Sequence, residues 1–399
     1  MGHIKFVTSG ESHGPALIGI IEGLPSGLVI SSEEIDRDLR RRQGGYGRGT
    51  RMKIETDHAV ILSGVRWGRT IGSPISLMIE NRDWKNWSEG MSPDLADEGS
   101  IKPVTKPRPG HADLAGVLKY DQKDARNILE RSSARETAMR VGLGAIAKKF
   151  LSDFGITTGS YVIQIGSRQS AVSSLKLTTE QLTKIFSEAE KSPVRCPDAG
   201  ASKEMTALIN SAIKEGNSLG GIFEVFITGV PVGLGSHVQW DRKLDARLAQ
   251  AVMSIQAIKG TEIGLGFEIG RKPGSDVMDE IFYRKAKSKG HGAQFYRKTN
   301  NAGGIEGGMS NGMPVIIRAA MKPIPTLRRP LMSVDIITKK PFEAAYERSD
   351  TCAVPAAAVV AEAMSALIIA DAFLEKFGGD SMREVKRNFD SYMKYLRDY

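Results

Sequence analysis

Cysteine is nearly absent: Cys196 and Cys352 are the only two in 399 residues. Two thiols cannot staple a chain of this length, and neither lies in a CxxC pair that would bind zinc or cycle as a dithiol. A reducing, cytoplasmic setting is the expectation. Aromatic residues make up 7%; only Tyr46 falls among the arginines of 40–51, with no extended interleaving of basic and aromatic residues and no RNP-like strand, so the stacking platforms of RNA-binding proteins are missing. The six histidines show no HxxH or HExxH spacing, so no metal site is expected. There is no Walker motif, and Gly264-Leu265-Gly266-Phe267-Glu268-Ile269 lacks the third glycine of a dinucleotide fingerprint. Long uncharged apolar runs are also missing. Pro355 to Phe377, the most apolar stretch, is interrupted by Glu362 and Asp371. Charge near mid-bilayer is costly, so this segment is expected to be a buried helix, with no membrane partner. The N-terminal MGHIKFVTSGESHG reaches polar residues before an apolar run of signal-peptide length develops, so no export signal is expected.

What is present describes a globular chain: 41% hydrophobic, 25% charged, 43 Gly and 17 Pro. Its length exceeds the size at which single cores usually stop growing, which leaves two domains or one fold made from two similar halves. The balance of 55 Lys+Arg against 46 Asp+Glu, net +9, favours anionic ligands without forming a polybasic nucleic-acid arm. Helices are predicted at Ser31 onward, where Ser31 and Glu34 match a capping box, and at Ala134 to Phe154, with Gly155 as C-cap. Thr179 to Lys191, Lys203 to Lys214 and Asp241 to Ile258 read as further amphipathic helices. Strands are predicted at Ala59 to Val65, Ile75 to Ile79, Tyr161 to Ile165, Ile222 to Val230 and Pro314 to Met321. Helices do not follow strands at βαβ spacing, so a doubly wound parallel sheet is not expected, and no short-period repeat is visible. Gly44 to Arg51, Asn81 to His111, Phe282 to Thr299 and Gly303 to Gly312 read as long loops. Such loops are usually functional or disordered.

Several of these segments carry chemistry. In Gly10-Glu11-Ser12-His13-Gly14 an imidazole sits between glycines, where it can reach a departing oxygen and give it a proton; the plain alternative is a solvated loop histidine. Arg108-Pro109-Gly110-His111-Ala112-Asp113 repeats the pattern. The other histidines, His3, His58, His237 and His291, have no such company and read as structural or solvated. Five arginines fall between Arg40 and Arg51 around glycines, suited to bidentate pairing with carboxylates and phosphates, or to a solvated basic face. Glu130 to Thr137 opens a helix with hydroxyls and free N–H groups, a setting for an anion or simply a capped start. Glu347-Arg348-Ser349-Asp350 offers a carboxylate beside an arginine, as general base or ion pair. Together they describe an enzyme for a small, multiply anionic substrate. The rivals are a flavin-independent phosphate lyase or phosphatase, and an RNA-binding basic protein, with nucleic acid disfavoured.

The blocks GESHG (10–14), RRQGGYGRG (41–49), RPGHAD (108–113), ERSSARETAMRVGLGAIAKK (130–149), NNAGGIEGGMSNG (300–312), KPIPT (322–326) and ERSDTCAVPAA (347–357) closely resemble the chorismate synthase family along essentially the whole chain. The resemblance implies one domain over 1–399 with an α+β fold. It further implies central helices between antiparallel sheets, as a β-α-β sandwich of two similar halves, and assembly as a homotetramer. It implies anti-1,4-elimination of phosphate and a ring hydrogen from 5-enolpyruvylshikimate 3-phosphate, with reduced FMN (FMNH2) required although the reaction is redox-neutral. By motif, His13 resembles the acid that protonates departing phosphate, and His111 the histidine that protonates or stabilises reduced flavin. Asp350 resembles the residue that assists base chemistry through flavin N5. Ser12, Arg42, Arg48, Arg51, Arg108 and Arg135 are implied substrate contacts, Arg42 and Arg48 being assigned also to NADPH as reductant. Flavin contacts are implied for Arg131, Ser132, Ser133, Gln256, Ala257, Gly307, Lys322, Pro323, Ile324, Pro325, Thr326 and Arg348. Many relatives carry Asn where this chain has Gln256. No appended reductase domain is visible, so a separate flavin reductase is the expected partner.

Overall fold

A computed structural model describes residues 3–49, 55–283, 295–329, 331–344 and 349–399. Along Ala16–Glu22 the buried residues Leu17, Gly19 and Ile21 alternate with exposed Ile18, Ile20 and Glu22, as a strand with one covered face requires. This strand, β2, joins β1 (Lys5–Ser9), β3 (Val60–Ile61) and β4 (Ile75–Glu80) in an antiparallel sheet of order β1-β2-β4-β3. A second antiparallel sheet contains β5 (Thr157–Ile165), β6 (Arg168–Gln169), β7 (Gly221–Thr228), β8 (Ile258–Ile263) and β9 (Val315–Met321), in the order β8-β9-β7-β5-β6. Its middle strands are nearly continuous buried runs because both faces are covered. On the outer side, Leu182 of the helix Thr179–Lys191 packs with Tyr161, Phe226 and Ile316.

The helices that position the site are α1 (Ser32–Gln43), α2 (Arg126–Ser132), α3 (Thr137–Ser152), α4 (Leu244–Met253) and α5 (Val354–Phe377). Helix α3 covers β2 and β4, α5 covers β5 and β7, and the two helices pack on each other. A Cβ at Gly144 of α3 would stand 2.4 Å from the Cβ of Ala363, so only glycine admits this approach. Helix α5 is long and apolar enough to cross a membrane, yet 94% of that window is buried inside the protein. The architecture is sheet, helices, sheet, the α+β sandwich expected from the sequence.

The halves repeat each other in detail. Gly23-Leu24-Pro25-Ser26-Gly27-Leu28 follows β2 as Gly229-Val230-Pro231-Val232-Gly233-Leu234 follows β7. Hairpins at Val65–Arg66/Arg69–Thr70 and Ile305–Glu306/Met309–Ser310 precede β4 and β9. Thr70 Oγ1 donates to the Pro25 carbonyl (2.6 Å) and accepts from Leu28 N–H (3.0 Å). Ser310 Oγ donates to the Pro231 carbonyl (2.6 Å) and accepts from Leu234 N–H (2.8 Å). Gly64 and Gly304, which open the hairpins, share φ of +80°.

Two expectations need correction. The glycine-rich segment 303–312 is a β-hairpin, because Gly307 and Gly308 take φ of 59° and 85°, the two positive values of a primed two-residue turn. The helix expected over Asp241 to Ile258 ends at Met253. Ala257 then turns with φ 67°, and Ile258 enters β8, where pairing with β9 satisfies its backbone. Likewise α3 is preceded by a 3-10 turn at Ala134–Glu136 and ends at Ser152.

Candidate active site

Ser12, His13, Arg42 and Arg135 gather at the N-terminal end of α3, and Arg48 and Asp350 at that of α5. Ser133 stands four residues before the first residue of α3, as Asp350 does before α5, within the parallel strings ERSSARET and ERSDTCAV. Helix N-termini present free N–H groups and the positive dipole end, a setting that favours anions.

Loop 10–15, between β1 and β2, is pinned to α2. Glu130 accepts from His13 N–H (2.7 Å) and lies 2.8 Å from His13 Nδ1, while its backbone carbonyl accepts from Ser12 N–H (3.0 Å). Ser12 Oγ donates to Ser133 Oγ at 3.0 Å. The His13 ring packs on Trp87 with centroids 4.2 Å apart, and Arg126 lies over the same indole. Burial acts to raise the Glu130 carboxyl, but hydrogen bonds from the ring and backbone of His13, with Arg126 nearby, hold it below the ordinary range.

The end of α1 delivers the basic cluster. Arg42, only 2% exposed, donates from Nε to Thr137 Oγ1 and from Nη2 to the Ala134 carbonyl, and pairs with Asp57 at 3.4 Å. Arg135 is bonded to Asp57 (2.5 Å), Asn81 (2.8 Å) and the Glu80 carbonyl, with Glu55 at 3.6 Å. Arg48 pairs with Asp350 at 2.9 Å, and Asp350 also accepts from Gly49 N–H. Burial, with the like charges of Arg135 and Arg48 and against the pull of Asp57 and Asp350, brings the Arg42 pKa down to about 10. Crowded cations of this kind favour an added anion.

His111 belongs to a second constellation on the 108–113 loop. Its Nδ1 is 2.5 Å from Asp113, whose two oxygens also accept from Arg108 Nε and Nη2. Arg108 Nη1 donates to Thr326 Oγ1, and the Thr326 carbonyl accepts from Ser349 Oγ, the neighbour of Asp350. The two constellations are therefore linked through KPIPT. Burial would raise Asp113, yet the hydrogen bonds from His111 and Arg108 hold it well below the usual carboxylate range.

The expected flavin contacts divide. Arg131 and Gln256 line one cleft of about 410 Å³, with Thr8, Glu136, Arg140 and Ser254. Gln256 donates to Glu136 (3.1 Å), and its Oε1 is buried with no hydrogen-bond partner among the described residues. The Ala257 carbonyl accepts from Lys322 N–H, and Lys322 Nζ donates to the Gly110 carbonyl beside His111. Burial, with Lys259 nearby, lowers the Lys322 pKa. Ser132 Oγ turns back to Leu129, and the Ile324 carbonyl accepts from Ser218 Oγ. Pro323 and Pro325 lie in the same strap after β9. Gly307 stands apart, at the tip of a hairpin seated on Gly235 and Leu244, with open space where a Cβ would stand. Arg51 and Arg348 lie outside the described residues, as does most of 282–299. Sequence reading did not single out Asp57, Asn81 or Trp87, and it quoted Glu136 within the 130–137 motif without giving it a role. Glu130 and Asp113 fell inside quoted motifs without receiving a role.

A model of the chorismate synthase family matches residues 4–374. The chorismate synthase of Geobacter sulfurreducens is 60% identical over 397 residues, covering 99% of this chain and 100% of that protein. That of Aquifex aeolicus is 55% identical over 402 residues, covering 100% and 99%. A crystal structure of chorismate synthase superposes with a TM-score of 0.79 at 46% identity, covering 99% of both chains. Together with the two-sheet sandwich and the motif-bearing loops at its helix ends, these matches show that the chain belongs to the chorismate synthase family, lyases of the shikimate route to aromatic amino acids.

Proposed function

We propose that the chain converts 5-enolpyruvylshikimate 3-phosphate to chorismate by anti-1,4-elimination with reduced FMN, at the junction of α3 and α5. One observation carries this reading: Ser12, His13, Arg42, Arg48, Arg108, His111, Arg135 and Asp350 form a linked network of hydrogen bonds, ion pairs and like charges at two helix N-termini. The substrate bears two carboxylates and a phosphate, and the guanidinium groups supply the complementary charge. In the elimination a C–O bond to phosphate and a ring C–H bond break and a C=C bond forms. In this reading His13 would give the proton that neutralises departing phosphate, and Asp350, held by Arg48 and Gly49, would assist the base chemistry that removes the ring hydrogen.

The residues present suit a flavin. The orphaned Gln256 Oε1 is an acceptor waiting for an N–H, and the Lys322 ammonium lies beside the His111 loop, where it suits an electron-rich ring. Arg131, Gln256 and the 322–326 strap would hold it, with Ser132, Ser133 and Ala257 close by in the chain. Reduced FMN, when bound, supplies an electron that eases loss of phosphate and is afterwards recovered. His111, oriented by Asp113, would hold a proton beside it. The burial of Arg42 favours a role behind the substrate over contact with NADPH, so we place flavin reduction with a separate reductase.

Assembly as a homotetramer is supported by the outer face of the first sheet, where Val7, Ile18 and Ile20 are 60%, 38% and 39% exposed. A cytoplasmic location fits the two free buried cysteines. The deciding experiment is chorismate appearance from the enolpyruvyl substrate without air. Turnover should require dithionite-reduced FMN; equal turnover without flavin would make the protein a flavin-independent lyase.

A further inference from the structure

We propose that Glu130 is the positioning residue for His13: it fixes the ring with hydrogen on Nδ1 and so reserves Nε2 for the proton given to departing phosphate. This rests on the reading of His13 as the acid. A carboxylate can only accept hydrogen bonds, so both nitrogens that face Glu130, the His13 backbone N at 2.7 Å and ring Nδ1 at 2.8 Å, must donate. The backbone carbonyl of the same residue holds Ser12 N–H at 3.0 Å, so Glu130 grips the turn at both Ser12 and His13, while Asn81 Nδ2 braces it from the other side through the Glu11 and Gly14 carbonyls. Glu130 is 2% exposed, which removes water as a competing partner for its oxygens. Among the described residues, charged groups beside the pair include Arg126 on α2, 3.6 Å from Glu130, and Glu11 in the same turn as His13. Trp87 adds a flat wall against the imidazole, which limits rotation about its second side-chain torsion. The acid therefore stays aimed before substrate arrives, and proton transfer needs no reorganisation of the ring.

Glu130→Gln tests the idea because it preserves size and removes one acceptor. The amide can accept from the backbone N–H or from Nδ1–H, but not both without presenting its NH2 to a donor. We expect kcat to fall by about 10²- to 10⁴-fold, the range seen when a catalytic histidine loses its orienting carboxylate, with KM within about threefold. Glu130→Asp, which keeps the charge, should recover at least about tenfold over the Gln variant. Solid-state ¹⁵N NMR of histidine-labelled wild-type enzyme, with the His13 signal assigned by its loss in His13→Ala, should show hydrogen on Nδ1. A folded Glu130→Gln enzyme with wild-type kcat, or a wild-type His13 bare at Nδ1, overturns the proposal. Should Glu130→Gln fail to fold, the wild-type spectrum decides. Full turnover by His13→Ala is a separate result: it removes the acid assignment, while the spectrum still reports what Glu130 does to the ring.

Discussion

Asp57 sits between Arg42 and Arg135, with Oδ1 on Arg135 at 2.5 Å and Oδ2 facing Arg42 at 3.4 Å. One buried carboxylate thus separates two buried guanidinium groups whose charges repel. Removing it in Asp57→Ala leaves both cations under-compensated, and breaking buried pairs of this kind costs about 3–5 kcal/mol. We expect lower thermal stability in dilute Tris, with a larger recovery on adding phosphate than wild type shows. A variant that melts with wild type, and gains no more from phosphate, would mean that the arginines are balanced by other groups.

His13 and His111 can each be removed without dismantling their surroundings. After His111→Ala, Asp113 remains forked by Arg108; after His13→Ala, Glu130 keeps the backbone N–H of residue 13 and the nearby Arg126. Both variants should fold, and each should lose about 10²-fold or more in kcat, the usual weight of a general acid or base. Anaerobic turnover with reduced FMN measures this. Near-normal rates in both would move proton transfer to other groups.

What could be read ahead of the structure was local. The Ser31/Glu34 box and the helix from Thr179 depend on residues three apart, and both formed as expected. Asp57 had no such signal: its partners lie at positions 42 and 135, and long-range pairs have no period. Strand β1 was not recognised because its exposed and half-buried residues mix polar and apolar types. The hairpin at 305–310 was hidden because glycines that look like a loop supply the positive φ a tight turn needs. The likeness of the two halves was legible in principle, in the recurring Gly-x-Pro-x-Gly-Leu and in Gly64…Gly72-x-Pro74 against Gly304…Gly312-x-Pro314.

Glu362 gives the fold a pH dependence. Fully buried in α5, it pairs with Arg41, Lys148 and Arg195 and accepts from Ser160 Oγ. Burial alone would raise its pKa, but the three cations outweigh this and hold the carboxyl far below the glutamate norm. A depressed folded pKa means stability that is present at neutral pH and is lost as pH falls below the unfolded value of about 4.3. Glu362→Gln should be less stable than wild type near pH 7, with the gap narrowing toward about pH 3. Urea unfolding across that range checks it. A constant gap would show that the glutamate acts by packing alone.

Thr70 and Ser310 test whether the two halves are energetically as well as geometrically alike. Each buried hydroxyl ties a proline carbonyl to a leucine N–H three residues further on, and each caps a hairpin ahead of a central strand. Thr70→Ser should therefore keep the bonds and lose mainly a methyl group. Thr70→Ala and Ser310→Ala should each cost about 1–3 kcal/mol, because a carbonyl and an amide lose their buried partner. The sites sit in different halves with no shared partner, so the double variant should lose close to the sum. Chemical denaturation of the four variants measures this directly. A much larger loss at one site would mean that the repeat has kept its geometry while concentrating its stabilising role in one half.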